Sequence, residues 1–364
     1  MTAPDSNQCK RRFKFILPSY LLISSILLFA LPLGAQVADS ERPIPVLTGN
    51  AGYFTNIEGG HAELNPQISP VLLAPIGDHW LVEARGEFEG DFERPDDGGA
   101  YAGKVSKELD YVQLDYIANP YLTVTAGRFL TPFNMYNERL YPIWIRKLPL
   151  DPLIFPIGTG SSDGIMFRGG FPVNSKFELN YATYFSSQAG PDAIESDRTA
   201  GGRLGFFLPN HRLEAGFSWR KELQDERTNA FGFYSSWQPQ VLPLNLRSEY
   251  SRSDDGSGYW ITAAYMLGQV PFWHGTLRHT EIVGGLQQFF IGESTEADSA
   301  EDEEYDLPEA NTRQADFGLN YYIRDGLKLT GSYSRQFSSD GNANLWSMGI
   351  AYRFALPLGP SGSD

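Results

Sequence analysis

The stretch Trp80-Leu81-Val82-Glu83-Ala84-Arg85-Gly86-Glu87-Phe88-Glu89-Gly90-Asp91-Phe92-Glu93 alternates between two kinds of side chain. Trp80, Val82, Ala84, Phe88 and Phe92 share one parity, with Gly86 and Gly90 among them. Glu83, Arg85, Glu87, Glu89, Asp91 and Glu93 share the other. Successive side chains of a strand point to opposite faces, so one face is apolar and the other charged. A soluble sandwich would bury the apolar face under a second sheet and leave the charged face in bulk water. A membrane barrel turns the apolar face to lipid and the charged face to a polar interior.

The pattern recurs to the end of the chain. In 176–186, Phe177, Leu179, Tyr181 and Phe185 oppose Lys176, Glu178, Asn180 and Ser186. In 212–221, Leu213, Ala215, Phe217 and Trp219 oppose Glu214, Ser218 and Arg220. The stretches 313–323 and 326–336 repeat it, and in the last one Trp346, Met348, Ile350, Tyr352 and Phe354 oppose Ser347, Gly349, Ala351 and Arg353. After Pro45 no apolar run reaches the roughly 18 residues that a helical span needs. Trp80, Tyr121, Trp219, Trp237, Tyr259, Tyr333 and Tyr352 stand at the ends of these stretches. Aromatic girdles at the two lipid–water interfaces want that placement.

About sixteen strands result, an even number suited to such barrels. Their connections alternate short and long. Short ones are Gly77-Asp78, Asn119-Pro120, Pro172 to Ser175, Pro209 to His211, Gln238 to Pro243 and Arg324 to Gly326. Long ones cover 57–65, 92–102, 130–162, 187–197, 222–228, 252–258, 290–311 and 338–343. Gly268 to Thr276 is longer than a turn should be. The fold class expected is therefore all-β, a transmembrane antiparallel β-barrel of about 16 strands. Short turns face the periplasm, both chain ends lie there, and 130–162 is the third external loop. A structureless segment of that length needs a reason, and folding into the lumen supplies one.

The N-terminus reads as an export signal. Lys10, Arg11, Arg12 and Lys14 precede an apolar run from Phe15 to Leu33, which ends in Gly34-Ala35. Basic patch, apolar run and small-residue exit make a signal peptide over 1–35. A lead-in over 36–46, the barrel over 47–355 and a C-terminal tail over 356–364 complete the expected division. Cys9 is the sole cysteine and lies in the signal, so the mature chain offers no disulfide or thiolate site. Removing 1–35 takes away four basic residues and Asp5, which moves the net charge from −15 to −18. Nucleic acid is a poor partner for so acidic a chain.

The segment after the fifth strand reads Ala126-Gly127-Arg128-Phe129-Leu130-Thr131-Pro132-Phe133, then Glu138-Arg139, and returns through Gly158-Thr159-Gly160-Ser161-Ser162-Asp163-Gly164. The motif GRFLTPF, the acid–arginine pair and the Gly-rich return resemble the phosphate-selective (O/P-type) porins in the broad sense, over about residues 120–170. That resemblance implies a sixteen-stranded barrel, often a homotrimer, passing small hydrophilic solutes. Lysine and arginine line the channels of the family's phosphate pores, and this chain departs from that. Its expected lining is Glu83, Arg85, Glu87, Glu89, Glu178, Glu214, Arg220, Arg247, Glu249, Asp316 and Arg353, with Asp91 among the further acids. Arg128, Glu138, Arg139, Arg146, Lys147 and Asp151 are the candidate constriction residues. Opposed charges across a narrow pore orient dipolar solutes and set ion preference. Ion pairs that merely pin the segment to the wall are the bland alternative, while Leu148, Leu150, Ile154 and Phe155 pack it down.

The acidic run 293–309 carries Glu293, Glu296, Asp298, Glu301, Asp302, Glu303, Glu304, Asp306 and Glu309. Carboxylates can hold calcium, but the EF-hand spacing is absent, and a solvated external loop is the simpler reading, with divalent ions bridging it to anionic lipopolysaccharide as a further one. His61, His79, His211, His274 and His279 are scattered without zinc spacing. No G-x-S-x-G elbow or P-loop occurs. No catalytic residue, metal or cofactor is expected. The functional expectation is an outer-membrane porin for passive diffusion of small solutes or ions. A plugged structural or adhesive barrel and, behind it, a barrel enzyme are the alternatives.

Overall fold

A computed structural model describes residues 44–95, 99–187, 197–224, 227–269, 275–292, 307–339 and 341–359. The strands are β1 (Val46–Glu58), β2 (His61–Ile76), β3 (Trp80–Glu93), β4 (Ala102–Asn119), β5 (Leu122–Leu130), β6 (Ser161–Asn174), β7 (Phe177–Ser186) and β8 (Thr199–Leu208). They continue as β9 (Leu213–Glu222), β10 (Asn229–Trp237), β11 (Leu244–Arg252), β12 (Gly256–Met266), β13 (Thr280–Ile291), β14 (Thr312–Arg324), β15 (Leu327–Ser338) and β16 (Gly341–Pro357). Each pairs with its sequence neighbours, and β1 pairs antiparallel with β16 from Val46↔Pro357 to Glu58↔Leu345. The sheet is a closed barrel, so no strand edge is left unpaired.

Closure inverts the burial of a soluble protein. Ser69, Asp115, Thr125, Asn320 and Ser347 are buried, whereas Trp80, Phe88, Leu204, Phe233, Phe317 and Trp346 are exposed. The two sets fall at opposite parity along their strands. Trp80, Tyr121, Trp219, Trp237 and Tyr259, expected in girdles, are among the exposed aromatics.

Three connections expected to be long are not. β1 turns into β2 through Gly59-Gly60, β11 into β12 through 253–255, and the β15–β16 ladder runs on to the pair Ser338↔Gly341. At the first, φ values of +58° and +96° at the two glycines let the ladder run to the pair Glu58↔His61. The flanking residues are polar because these strands run on beyond the apolar band. Polarity reads as loop, yet ladder hydrogen bonds do not require an apolar side chain. The connection between β12 and β13 is long, as read, and carries short helical turns at Leu267–Gln269 and Thr276–His279. The expected signal peptide, His274 and the acidic residues of 293–306 lie outside the described residues.

Candidate functional site: segment 131–160 and the inner wall

Between β5 and β6 the chain leaves the sheet. Its neck is closed by the Thr131 N–H, which donates to the Gly160 carbonyl at 2.9 Å. Asn137 Nδ2 donates to the Thr131 and Gly160 carbonyls at 3.1 and 3.0 Å. A single wide helical turn, Tyr136–Leu140, follows. Phe133, Met135, Tyr136, Leu140, Tyr141, Ile154, Phe155 and Ile157 form one buried cluster with Ala230, Tyr234, Trp260 and Phe289 of the wall. Ile154 and Phe155 therefore pack as read. Leu148 lies over Gly285 and Gly318, where an added Cβ would come within 3.1 and 2.7 Å of its methyl groups.

The polar contacts of the segment run to the buried parity of the strands. Glu138 pairs with Arg203 at 2.5 Å, Arg139 with Glu214 at 2.7 Å and Lys147 with Glu281 at 2.6 Å. Glu249 Oε1 accepts the backbone N–H groups of Met135 and Tyr136, each at 2.8 Å, and Trp260 Nε1 donates to Oε2 at 3.2 Å. Asn134 has a left-handed φ of 52°, and its Nδ2 donates to Ser251 Oγ at 3.0 Å. Gly232 leaves the room, since a Cβ there would stand 2.2 Å from Asn134 Oδ1. Lys328, 1% exposed, donates to the carbonyls of Ile143, Trp144 and Arg146 at 3.1, 3.1 and 2.8 Å. Buried charges persist only with such partners.

Within the segment, Arg146 meets Asp151 at 3.0 Å, and the Tyr136 hydroxyl donates to Asp151 Oδ1 at 2.6 Å. Burial pushes the Asp151 carboxyl above the usual carboxylate range, against the lowering pull of Arg146. Burial and the Asp151 charge together raise the Tyr136 hydroxyl. Burial alone would lower Arg146, but Asp151 outweighs it and the guanidinium is held charged.

One candidate constriction residue sits elsewhere. Arg128 pairs in register with Val112 and with Asp163, whose carboxylate it meets at 2.8 Å. Val112 and Ile165 of that parity are exposed, while neighbouring Phe129 packs in a buried cluster with Met166, Ala182 and Tyr184. The inner wall is apolar at this point, so the parity of the basic residue is the outward one.

The expected lining residues lie at the buried parity. Arg85 bridges Glu87 and Asp110, each at 2.8 Å, and the Tyr141 hydroxyl donates to Glu87 at 3.2 Å. Gln113 donates to Glu83 at 3.3 Å, and Asp316 accepts from Gln287 and Gln314. Arg220 stands 3.3 Å from Glu222, Arg247 lies near Trp260 and Thr262, and Arg353 meets Asp325 at 3.2 Å. Glu89 borders the space beneath Arg146, and Glu178 shares the parity of Asn180. Sequence reading missed Arg203, Glu281 and Lys328 as partners of the segment. Each stands at a polar, inward parity of its strand, which is the signal that could have found them.

No family model and no curated protein matches the chain. Solved structures do. A low-pH structure of OprB from Pseudomonas putida is 10% identical with a TM-score of 0.56, covering 85% of this chain and 93% of that one. The anion-selective porin from Comamonas acidovorans is 12% identical with a TM-score of 0.52, over 85% and 98%. A loop-deletion mutant of OmpT, an outer membrane protein of Vibrio cholerae, is 11% identical with a TM-score of 0.55, over 86% and 100%. The fold is that of these outer-membrane barrels.

Proposed function

We propose that the protein is an outer-membrane porin through which small hydrophilic solutes or ions diffuse, with segment 131–160 lying across the lumen and narrowing it. The observation that carries this reading is the pairing of a closed sixteen-stranded wall, polar within and apolar without, with a segment bound to the inward parity of that wall. Wall and segment charges would then tune which solutes pass. Glu138, Arg139, Arg146, Lys147 and Asp151 would act at the constriction, and Arg128 would not. Phosphate selectivity is no part of the proposal, because the inward parity of β3 carries Glu83, Glu87 and Glu89 rather than a run of lysine and arginine.

The long-connection end would face outward from the cell. At that rim the outward parity carries Lys107, Arg252 and Arg313, paired in register with exposed Phe88, Phe231 and Phe337. Cations beside an apolar band suit the phosphates of lipopolysaccharide. Residues 1–35 would be removed on export, and three copies would assemble, as in the trimer form of Vibrio cholerae OmpT.

Purified mature protein in a planar bilayer should give discrete single-channel steps. Well-folded barrel without conductance would sink the reading and favour a plugged barrel.

A further inference from the structure

The wall charges that hold segment 131–160 each meet a partner. Arg247 of β11 does not. Register places it between Ser236 of β10 and Thr262 of β12, at the inward parity. Among the described residues its guanidinium forms no ion pair and no hydrogen bond, although it is half-buried. The carboxylate that acts on it, Glu281, is already bound by Lys147 at 2.6 Å, Asn320 at 3.0 Å and the Tyr322 hydroxyl at 3.1 Å. A cation withdrawn from water without a partner is costly, and the cost asks for an occupant.

Arg247 borders a space of about 40 Å³ between the wall and the segment. The other charged groups there are Arg146 and Lys147 of the segment, and no carboxylate lines it. Asp151 balances Arg146 and Glu281 balances Lys147, so the positive charge of Arg247 is left over. Hydrogen-bonding capacity is just as lopsided. Lys147 spends one of its N–H groups on Glu281 and keeps the rest. Among the described residues, the Thr262 hydroxyl and the Arg247 guanidinium spend none of theirs. The side-chain amide oxygen at the space, Gln287 Oε1, already accepts the Leu153 N–H at 2.9 Å. A water molecule wants acceptors as well as donors, whereas an anion needs donors alone. Leu140, Leu148, Leu150 and Trp260 supply an apolar border, which strengthens a charge-assisted bond. The volume holds about three water-sized bodies, enough for a halide with a water or two and too little for a sugar or an amino acid.

We propose that this pocket holds one small monovalent anion, chloride in size, as a fixed part of the docked segment. The ion joins Arg247 of the wall to Arg146 and Lys147 of the segment, three cations that otherwise repel one another. Chloride therefore favours docking. An ion bound only by the docked form shifts that equilibrium by its concentration over its dissociation constant. The site needs no conduction, so it stands or falls separately from the porin reading.

The N–H groups of Ile145 and Arg146, which donate to the Pro142 carbonyl, report docking next to the pocket. Hydrogen exchange in micelles is followed as chloride replaces isethionate at fixed ionic strength, which holds screening constant. In the wild-type protein these amides should exchange roughly threefold slower or more once chloride reaches twice its dissociation constant. Arg247→Met keeps the apolar stem and removes the donors, so the chloride effect should vanish. Crystals grown in bromide should show anomalous density against the Arg247 guanidinium. Equal exchange in the two salts, the same chloride effect in Arg247→Met, or no bromide at Arg247 overturns the proposal. If Arg247→Met does not fold, Thr262→Val should weaken the chloride effect, and an undiminished effect overturns it.

Discussion

Replacing Lys328 by Met should release the middle of segment 131–160 without opening the barrel. Met keeps the length and apolar stem of the side chain and removes its three donors. The ammonium now serves the carbonyls of Ile143, Trp144 and Arg146 and lies 5.8 Å from the Trp144 ring centre. A hydrogen bond from a charged donor contributes about 1.5–3 kcal/mol. Water reaching the freed carbonyls offsets part of the loss of three, leaving a net cost of about 3 kcal/mol for docking of this stretch. That is about a hundredfold in the local opening equilibrium. The strand pairs Leu327↔Tyr352 and Leu329↔Ile350 do not depend on the ammonium, so the wall should hold. Hydrogen exchange read in micelles is the assay. The N–H groups of Ile145 and Arg146, both donating to the Pro142 carbonyl, should exchange about a hundredfold faster, while β15 amides keep their protection. Unchanged exchange at Ile145 and Arg146 in a folded variant would refute the reasoning. Global unfolding would refute it too, since the wall would then depend on the lysine.

Arg128→Ala should leave ion selectivity unchanged and lower stability by about 1–3 kcal/mol, because it removes the partner of part-buried Asp163 and a donor to the Leu109 carbonyl; a shifted reversal potential would return it to the pore. Gly232→Ala should displace the Asn134 amide, whose Oδ1 would lie 2.2 Å from the new Cβ, and cost about 1–3 kcal/mol of segment docking, read as faster proteolysis between 131 and 160. On acidification, Asp151 should take up a proton above the usual carboxylate range, since burial raises it. The docked segment binds that proton more tightly than a released one would, so docking gains as pH falls and is penalised as pH rises. Protonation also leaves the Arg146 charge uncompensated, so permeability to cations relative to anions should drop as pH is lowered. Asp151→Asn should abolish that part of the pH dependence, which reversal potentials across a pH series would report.

The barrel was legible because the decisive signal is local. Alternation along 80–93 or 212–221 requires only that successive side chains point to opposite faces, whatever the partner strand. Where the local signal carried other information, reading failed. Polar ends of β1, β2, β15 and β16 looked like loops, although backbone pairing runs through them to tight turns. Arg128 looked luminal because it is basic and precedes the long segment, but Phe129 beside it fills an apolar patch of the inner wall and takes the inward parity.

Sequence by itself determined the strand period, the approximate strand count, the sign of each face and the long break in the ladder after the fifth strand. These depend on residues a few positions apart. Only the tertiary structure decided which charges face each other. Glu138 meets Arg203, Lys147 meets Glu281, and Lys328 reaches the carbonyls near Arg146 across 182 residues of chain. Those partners are chosen by how the strand register and the packing of Phe133, Tyr136 and Phe155 seat the segment. The same seating carries Tyr141 to Glu87 of β3 and Ile143 to Phe54 of β1, so the segment touches walls far apart in sequence.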